Sequence, residues 1–429
     1  MELLTTSGSG ARKVERLLSA FDRRGTFNLS GVERTVSRIV EEVRADGDRA
    51  LLAARAKFDQ VPRKQPLRIS TGDLHRAWQN LSSELRTALK TAADNIAEFA
   101  KRQMPNDWDC DVAPGVRAGQ RVRALDSVGC YVPSGRHPLP SSLLMTAIPA
   151  QIAGVRRIVV VSPRPAAETL AAAALLGIDE VYQVGGAHAV AALAYGTPSL
   201  PRVDKIVGPG NLYVTAAKRL VSFDCAIDML AGPTEIVICS ETGHPEAIAA
   251  DLVAQAEHDT ETLSILVTSQ RDLARSVIGE VKHLSRNNPV AREALRKHGY
   301  AIVTDTKTQA QVIANRLAAE HLTVDSEDDL AWVRHAGSVF IGNWSSQAFG
   351  DYVTGPNHTL PTGGAARVRG GLSVMDFVKL ITVQSYREEG VRSLGPAAVA
   401  LAHAEGLNGH AQSVIIRLAR ARSEGEPRD

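Results

Sequence analysis

The spacing of apolar positions changes partway along the chain, near Val122. From residue 11 to about 108 they recur every three or four residues with charges between them, most clearly at 12–21, 31–58 and 71–103. That is the period of amphipathic helices. Ser70-Thr71-Gly72-Asp73 opens the third run with a cap signal, and Pro105-Asn106-Asp107 closes it. From Val122 onward, short β-branched runs at 127–132, 157–162, 180–184 and 204–208 alternate with helical runs at 139–153, 166–176, 187–194 and 212–221. A second series follows, with strands at 235–239, 263–268, 300–304 and 338–341, and helices at 245–257, 271–284, 291–297 and 308–319. Strands apolar on both faces and separated by helices imply parallel sheets covered on both sides. The pattern therefore predicts an α/β protein with two Rossmann-like parallel-sheet domains and helical extensions at both ends. The expected divisions are 1–115 (helical, packing on the first domain), 116–233, 234–372 and a helical tail 373–429.

Composition narrows the class without choosing a chemistry. The 429 residues are 44% hydrophobic and 22% charged, which is ordinary for a globular protein with a sizeable core. A net charge of +2 points to neither nucleic acid nor an anionic membrane. Cys110, Cys130, Cys225 and Cys239 are far apart, and three lie in apolar runs, so buried reduced thiols are expected rather than disulfides or a zinc knuckle. The opening residues lack a basic and then apolar leader pattern. The apolar stretch at 143–155 is broken by Pro149 and Gln151 and is too short to cross a bilayer. The expected location is cytoplasmic.

Candidate chemistry begins on the helix 245–257, where Gln255 and His258 sit three apart and so face the same way. An isolated pair of this kind is more often a polar helix face than a metal site. Glu320-His321 places an acid and an imidazole at the boundary between a helix and the strand-like 322–324, where two proton-transfer groups can share one cleft. The bland alternative is a histidine capping helix carbonyls beside a solvated glutamate. Three turns pass from strand through glycine into helix: Tyr131 to Gly135, Val184 to Ala187, and Gly208-Pro209-Gly210-Asn211. Such turns expose amides that bind phosphate readily, although most are only turns. The full Gly-x-Gly-x-x-Gly fingerprint is absent, and Gly8-Ser9-Gly10 lacks both a preceding strand signal and the third glycine. The loop 350–364 carries Asp351 and His358 among glycines and prolines, and long irregular segments of this kind are usually functional. Glu405 and His410 supply a further acid and imidazole near the C-terminus. Gln255, His258, Asp351 and His410 together would make a nitrogen- and oxygen-rich set suited to zinc or another borderline divalent ion.

These residues, in their order and spacing, resemble the histidinol dehydrogenase family along nearly the whole chain. The runs that carry the resemblance are 185–189 with 194–196, Asp204 through Asn211, Ala231 through Glu235, Gln255 through His258, Glu320 through Leu322, 350–352 with Asn357-His358, and Ala404 through Leu407 with His410. The resemblance implies that Gln255, His258, Asp351 and His410 bind one zinc ion and that Glu320 and His321 transfer protons. It implies a substrate pocket lined by Thr234, His358 and Glu405 together with His321 and the four metal ligands. Tyr131, His188 and Asn211 fall where the family contacts NAD. Two positions depart from the family's pattern: His188 stands where glutamine is frequent, and Ser134 where glycine is usual.

The implied reaction is a four-electron oxidation of L-histidinol to L-histidine through histidinaldehyde, using two NAD in turn. Its implied setting is the end of histidine biosynthesis, in a homodimer whose C-terminal tails are exchanged and whose sites are shared. His321 near its ordinary pKa of about 6.5 would be the base for the alcohol, and Glu320 would activate water for the second step. Zinc would mainly orient the substrate. One rival is a related dehydrogenase of another amino alcohol or diol such as a sulfonated propanediol; Glu405, which complements an ammonium group, favours the cationic amino alcohol. A second rival is a non-catalytic metal-binding scaffold, disfavoured by the retention of both proton-transfer residues and all four ligands.

Overall fold

A computed structural model of the protein describes residues 1–22, 29–134 and 138–423. Gly135 of the first glycine turn, and the charged end from 424, lie outside the described residues. The chain divides into two compact units, one formed by 1–103 and 125–377, the other by 104–124 and 378–429.

The first unit holds two parallel sheets, in keeping with the α/β class. One has five strands: β4 (Ser127–Tyr131), β5 (Arg157–Ser162), β6 (Val181–Gln183), β7 (Lys205–Val207) and β8 (Ala226–Ile227), ordered β6-β5-β4-β7-β8. Its helices include Pro140–Ala153, buried along most of its length because it carries apolar or small residues on every face. The second sheet has six strands, with β9 (Glu235–Cys239), β10 (Leu263–Thr268), β11 (Gly299–Val303), β12 (His321–Val324) and β13 (Ser338–Ile341). Its sixth is β1 (Glu2–Thr5), which pairs with β11 to give the order β1-β11-β10-β9-β12-β13.

Strand β1 corrects two expectations. The N-terminal region is not wholly helical, and Gly8-Ser9-Gly10 does follow a strand, forming a short turn before the helix Ala11–Asp22. Four residues at the edge of a sheet leave too short a run for a period to show. The remaining N-terminal helices belong to the layer over the five-stranded sheet: Ser30–Asp46 packs its Val36, Ile39 and Val43 into that sheet's core.

The second unit is built on an antiparallel sheet, β2 (Trp108–Ala113), β3 (Val116–Ala124) and β14 (Val378–Tyr386), ordered β14-β3-β2. The segment after Leu372 was expected to be helical and instead enters β14, rich in β-branched and aromatic residues at Val378, Ile381, Thr382, Val383 and Tyr386. Helices Glu388–Ala404 and Asn408–Ser423 follow and pack on each other. Cys130, Cys225 and Cys239 are buried free thiols as expected, and Cys110 is exposed. No helix among the described residues is long and apolar enough to cross a membrane.

Candidate functional site

The proton-transfer candidates lie at the amino end of β12, beside Thr234 at the amino end of the neighbouring β9. Thr234 immediately precedes β9 and Glu320 immediately precedes β12, and the strands run in parallel with His321 opposite Ile236. Helix Pro245–Ala256 connects β9 to β10, so it runs back against the strands and delivers Gln255 to the same edge, with His258 two residues beyond its end. Asp351 arrives on the short helix Gln347–Tyr352 after β13. Open parallel sheets usually hold ligands at their carboxyl ends, and here the second sheet presents its amino end instead. Ala318, in the left-handed region at φ 47°, ends the helix Lys307–Leu317 and turns the chain into Glu320-His321. A side-chain-bearing residue held there costs about 1 kcal/mol or more, a strain characteristic of functional sites.

The site is a connected set of buried polar groups. Gln255 Nε2 donates to Thr234 Oγ1, and the Thr234 hydroxyl donates to Glu320 Oε2. The same carboxylate oxygen accepts the Glu235 N–H at 2.9 Å. Burial pushes Glu320 above its ordinary carboxylate range, partly offset by the neighbouring His321. His321 Nδ1 lies 3.2 Å from the Glu235 carbonyl oxygen and 3.4 Å from Gln255 Nε2; the carbonyl is the nearer and can only accept, which favours hydrogen on that nitrogen. Nε2 is then the working atom: it is buried without a hydrogen bond and faces Asp351 Oδ1 at 3.4 Å. The imidazole ring stacks on Phe340, with centroids 5.8 Å apart. Gly350 permits this, because a Cβ there would stand 2.8 Å from the Phe340 ring.

Electrostatics correct one expectation. His321 does not sit near 6.5: burial opposes its charged form, but the carboxylates of Glu320 and Asp351 outweigh burial and carry it up to about 9. Asp351 responds in kind, its own burial overcome by His321, His358 and His258, which hold it below its usual range. His358 donates from Nδ1 to the Asp351 carbonyl oxygen at 2.8 Å, and its Nε2 lies 3.4 Å from Ser142 Oγ. Burial holds His358 below the ordinary histidine value.

Three of the four expected metal ligands share this edge. The Gln255 amide oxygen is buried without a hydrogen-bond partner, an arrangement that is unfavourable unless a cation or donor occupies the space. His258 Nδ1 is 3.1 Å from the Gln255 carbonyl and 3.2 Å from that of Ala254, which fixes the tautomer and leaves the Nε2 lone pair outward. Asp351 supplies a carboxylate kept ionised. Amide oxygen, imidazole nitrogen and carboxylate oxygen fit a borderline divalent ion. Among the described residues no group of three or more His, Cys, Asp and Glu forms such a cluster by itself, since one donor here is a glutamine. Glu405 and His410 belong to the other unit, at the end of helix Glu388–Ala404 and in helix Asn408–Ser423, and both are exposed.

A hollow of about 940 Å³ reaches from His258 and Tyr352 to Pro133, Leu139 and Ser141 in the segment that follows β4. The carboxyl end of the five-stranded sheet thus faces the reactive edge of the six-stranded one. The nucleotide candidates sit at that carboxyl end, in more occupied surroundings than the sequence suggested. Tyr131 is buried and its Oη accepts the Gly186 N–H at 3.0 Å. His188 is buried with Nε2 3.0 Å from Asp59 Oδ2, and the same oxygen accepts the Gly185 N–H at 2.9 Å. Asn211 is exposed and caps helix Leu212–Val221, accepting from Tyr213 and Val214.

The third turn is closed the same way. Asp228 Oδ2 accepts the Gly208 N–H at 2.8 Å, while its other oxygen pairs with the buried Lys218. Gly208, at φ 110°, has no room for a side chain, since a Cβ would stand 2.2 Å from the Tyr131 carbonyl oxygen. The amides of Gly185, Gly186 and Gly208 are therefore engaged within the fold, as in the many glycine turns that are only turns. Ser134 accepts the Arg164 N–H at 2.9 Å, tying the turn after β4 to the one after β5. Asp59, Asp228 and Lys218 gave no sequence signal, because each meets its glycine only in the folded chain.

A family model described as histidinol dehydrogenase matches residues 22–418. A histidinol dehydrogenase of Methanothermobacter thermautotrophicus is 46% identical over 417 residues, covering 94% of this chain and 97% of that protein. One of Syntrophotalea carbinolica is 45% identical over 413 residues, covering 94% and 96%. The crystal structure of histidinol dehydrogenase from Elizabethkingia anophelis superposes with a TM-score of 0.92 at 34% identity, covering 98% of this chain and 99% of that one.

Proposed function

The chain belongs to the histidinol dehydrogenase family of NAD-dependent oxidoreductases, and from that premise we propose that it oxidises L-histidinol to L-histidine through histidinaldehyde with two NAD and one zinc ion per subunit. One observation carries the reading at the level of residues. Glu320, His321, Thr234, Gln255 and Asp351 converge on one edge, with Gln255 Oε1 buried there without a hydrogen bond and His321 Nε2 buried facing only the Asp351 carboxylate.

Gln255, His258 and Asp351 would hold the zinc, with His410 of a second copy completing the set in a closed two-fold dimer. When bound, the ion supplies orientation of the amino alcohol and added positive charge. Its charge, set against the Asp351 carboxylate, would also release His321 from part of the pull that raises it to about 9. His321 Nε2 takes the hydroxyl proton of histidinol as hydride passes to the first nicotinamide. Glu320, whose raised affinity for protons makes it a stronger base than a solvated carboxylate, takes a proton from the water that adds to the aldehyde. The hydrate anion so formed gives its hydride to a second NAD, and the resulting carboxylic acid leaves as carboxylate after releasing its remaining proton to solvent. Thr234, bonded to Glu320, and His358, bonded to the backbone of Asp351, line the pocket. Glu405 would meet the substrate ammonium, and Tyr131, His188 and Asn211 mark the cofactor end.

The test measures zinc per chain by elemental analysis alongside NADH formed per histidinol. One zinc and two NADH per histidinol support the reading. Oxidation of sulfopropanediol but not histidinol would overturn the substrate, and failure to bind zinc would overturn the ligand set.

A further inference from the structure

The glycine turn 184–187 is held from both sides by buried side chains. Asp59 comes from the N-terminal helical region, where 55–59 forms a wide π-type turn and Gln60 adopts φ 59°. This geometry carries the carboxylate inward, to 6% exposure. Its Oδ2 receives the Gly185 N–H and faces His188 Nε2, and the His188 ring also packs against Phe58 with centroids 6.0 Å apart. Next to it, Tyr131 Oη receives the Gly186 N–H. His188 is thus bound into the interior at 1% exposure, on a ring nitrogen that would otherwise be its polar tip.

We propose that His188 is a positioning residue: acting through Asp59, it fixes the Gly185-Gly186 turn at the cofactor end and does not itself bind NAD. The proposal rests on the reading that NAD occupies the carboxyl end of the five-stranded sheet. It gives Asp59 a part in cofactor binding. It also explains how histidine can stand at a position that resembles a glutamine site, since either side chain can donate a hydrogen to a carboxylate.

The experiment compares His188→Leu, Asp59→Leu, the double variant and His188→Gln. NAD affinity is measured by calorimetry, and KM and kcat by steady-state kinetics on the zinc-loaded protein. His188→Leu leaves Asp59 held only by the Gly185 N–H, and Asp59→Leu leaves both the His188 ring and the Gly185 N–H without their acceptor, so Kd and KM for NAD rise about tenfold, with a smaller change in kcat at saturation. The double variant is no worse than the worse single one, because both act through one bond. His188→Gln restores NAD affinity to within about twofold. Additive losses in the double variant, or a loss on His188→Leu that Asp59→Leu does not reproduce, would mean that His188 touches the cofactor directly. Unchanged affinity in a folded leucine variant of either residue overturns the proposal, so a single soluble leucine variant is enough to refute it. Hydrogen exchange of the wild type with and without NAD separates this outcome from failure of the underlying reading. Protection of 184–189 and 208–214 by NAD upholds the location, whereas protection elsewhere overturns both.

Discussion

Replacing Glu320 by glutamine should divide the two oxidations. Glutamine matches glutamate in shape, and its amide oxygen can take the place of Oε2 in accepting from the Thr234 hydroxyl and the Glu235 N–H. The fold and the strand ends should therefore persist. Two properties are lost: the base for water, and a negative charge 3.7 Å from His321 Nδ1. Loss of a general base should slow oxidation of histidinaldehyde by about 10²-fold or more. At 3.7 Å and an effective dielectric of about 20, the lost attraction is about 4 kcal/mol. That is enough to bring His321 from about 9 back to its ordinary range or below. His321 acts as base only when unprotonated, so a lower pKa moves the acid limb of histidinol oxidation to lower pH. The assay is single-turnover NADH formation from each substrate across pH. Equal losses on both substrates would assign Glu320 to structure or to the first step. An acid limb that does not move would show that Glu320 is not the charge that holds the His321 proton.

His321→Asn should retain zinc and fold while losing about 10²-fold or more of turnover; near-wild-type rates at every pH would remove it as base. With native protein, a disulfide-exchange reagent should titrate one thiol per chain, Cys110, because burial pushes Cys130 and Cys239 up to about 12 and Cys225 to about 11. Four should react in denaturant, and rapid reaction of more than one in the native state would contradict the burial of the other three. Mixed refolding of His321→Asn and His410→Asn chains, each inactive alone, should restore about a quarter of wild-type activity if sites are shared between subunits, since half the dimers carry one intact site of two. No recovery in confirmed hybrids would place His410 in its own subunit's site.

The α/β core was legible because its strands are short, β-branched and apolar on both faces. β5, β9, β10 and β13 fall at the expected residues for that reason. β1, β2 and β14 were not, being short, fully exposed or partly polar, so no strong period separates them from loop or helix. The reactive groups were legible as residue types, but not the edge they occupy. Glu320 and Thr234 announce nothing about each other until β12 is laid beside β9. The glycine turns stayed undecided for the same reason: a turn sequence does not reveal that Asp59, 126 residues before Gly185, will fill its amide.

The antiparallel sheet of the second unit has a consequence during synthesis. β3 ends at Ala124 and its partner in β14 begins at Val378, so the two meet only after about 250 further residues have been made. At the pace of a ribosome, about 5–20 residues per second, that interval lasts on the order of 10 to 50 seconds. Through it the emerging β3 has β2 on one edge and an open ladder of backbone groups on the other, which invites pairing with foreign strands. The tail that ends the wait also carries His410, so a nascent chain completes its exposed sheet and acquires its last candidate ligand in the same late stretch of translation.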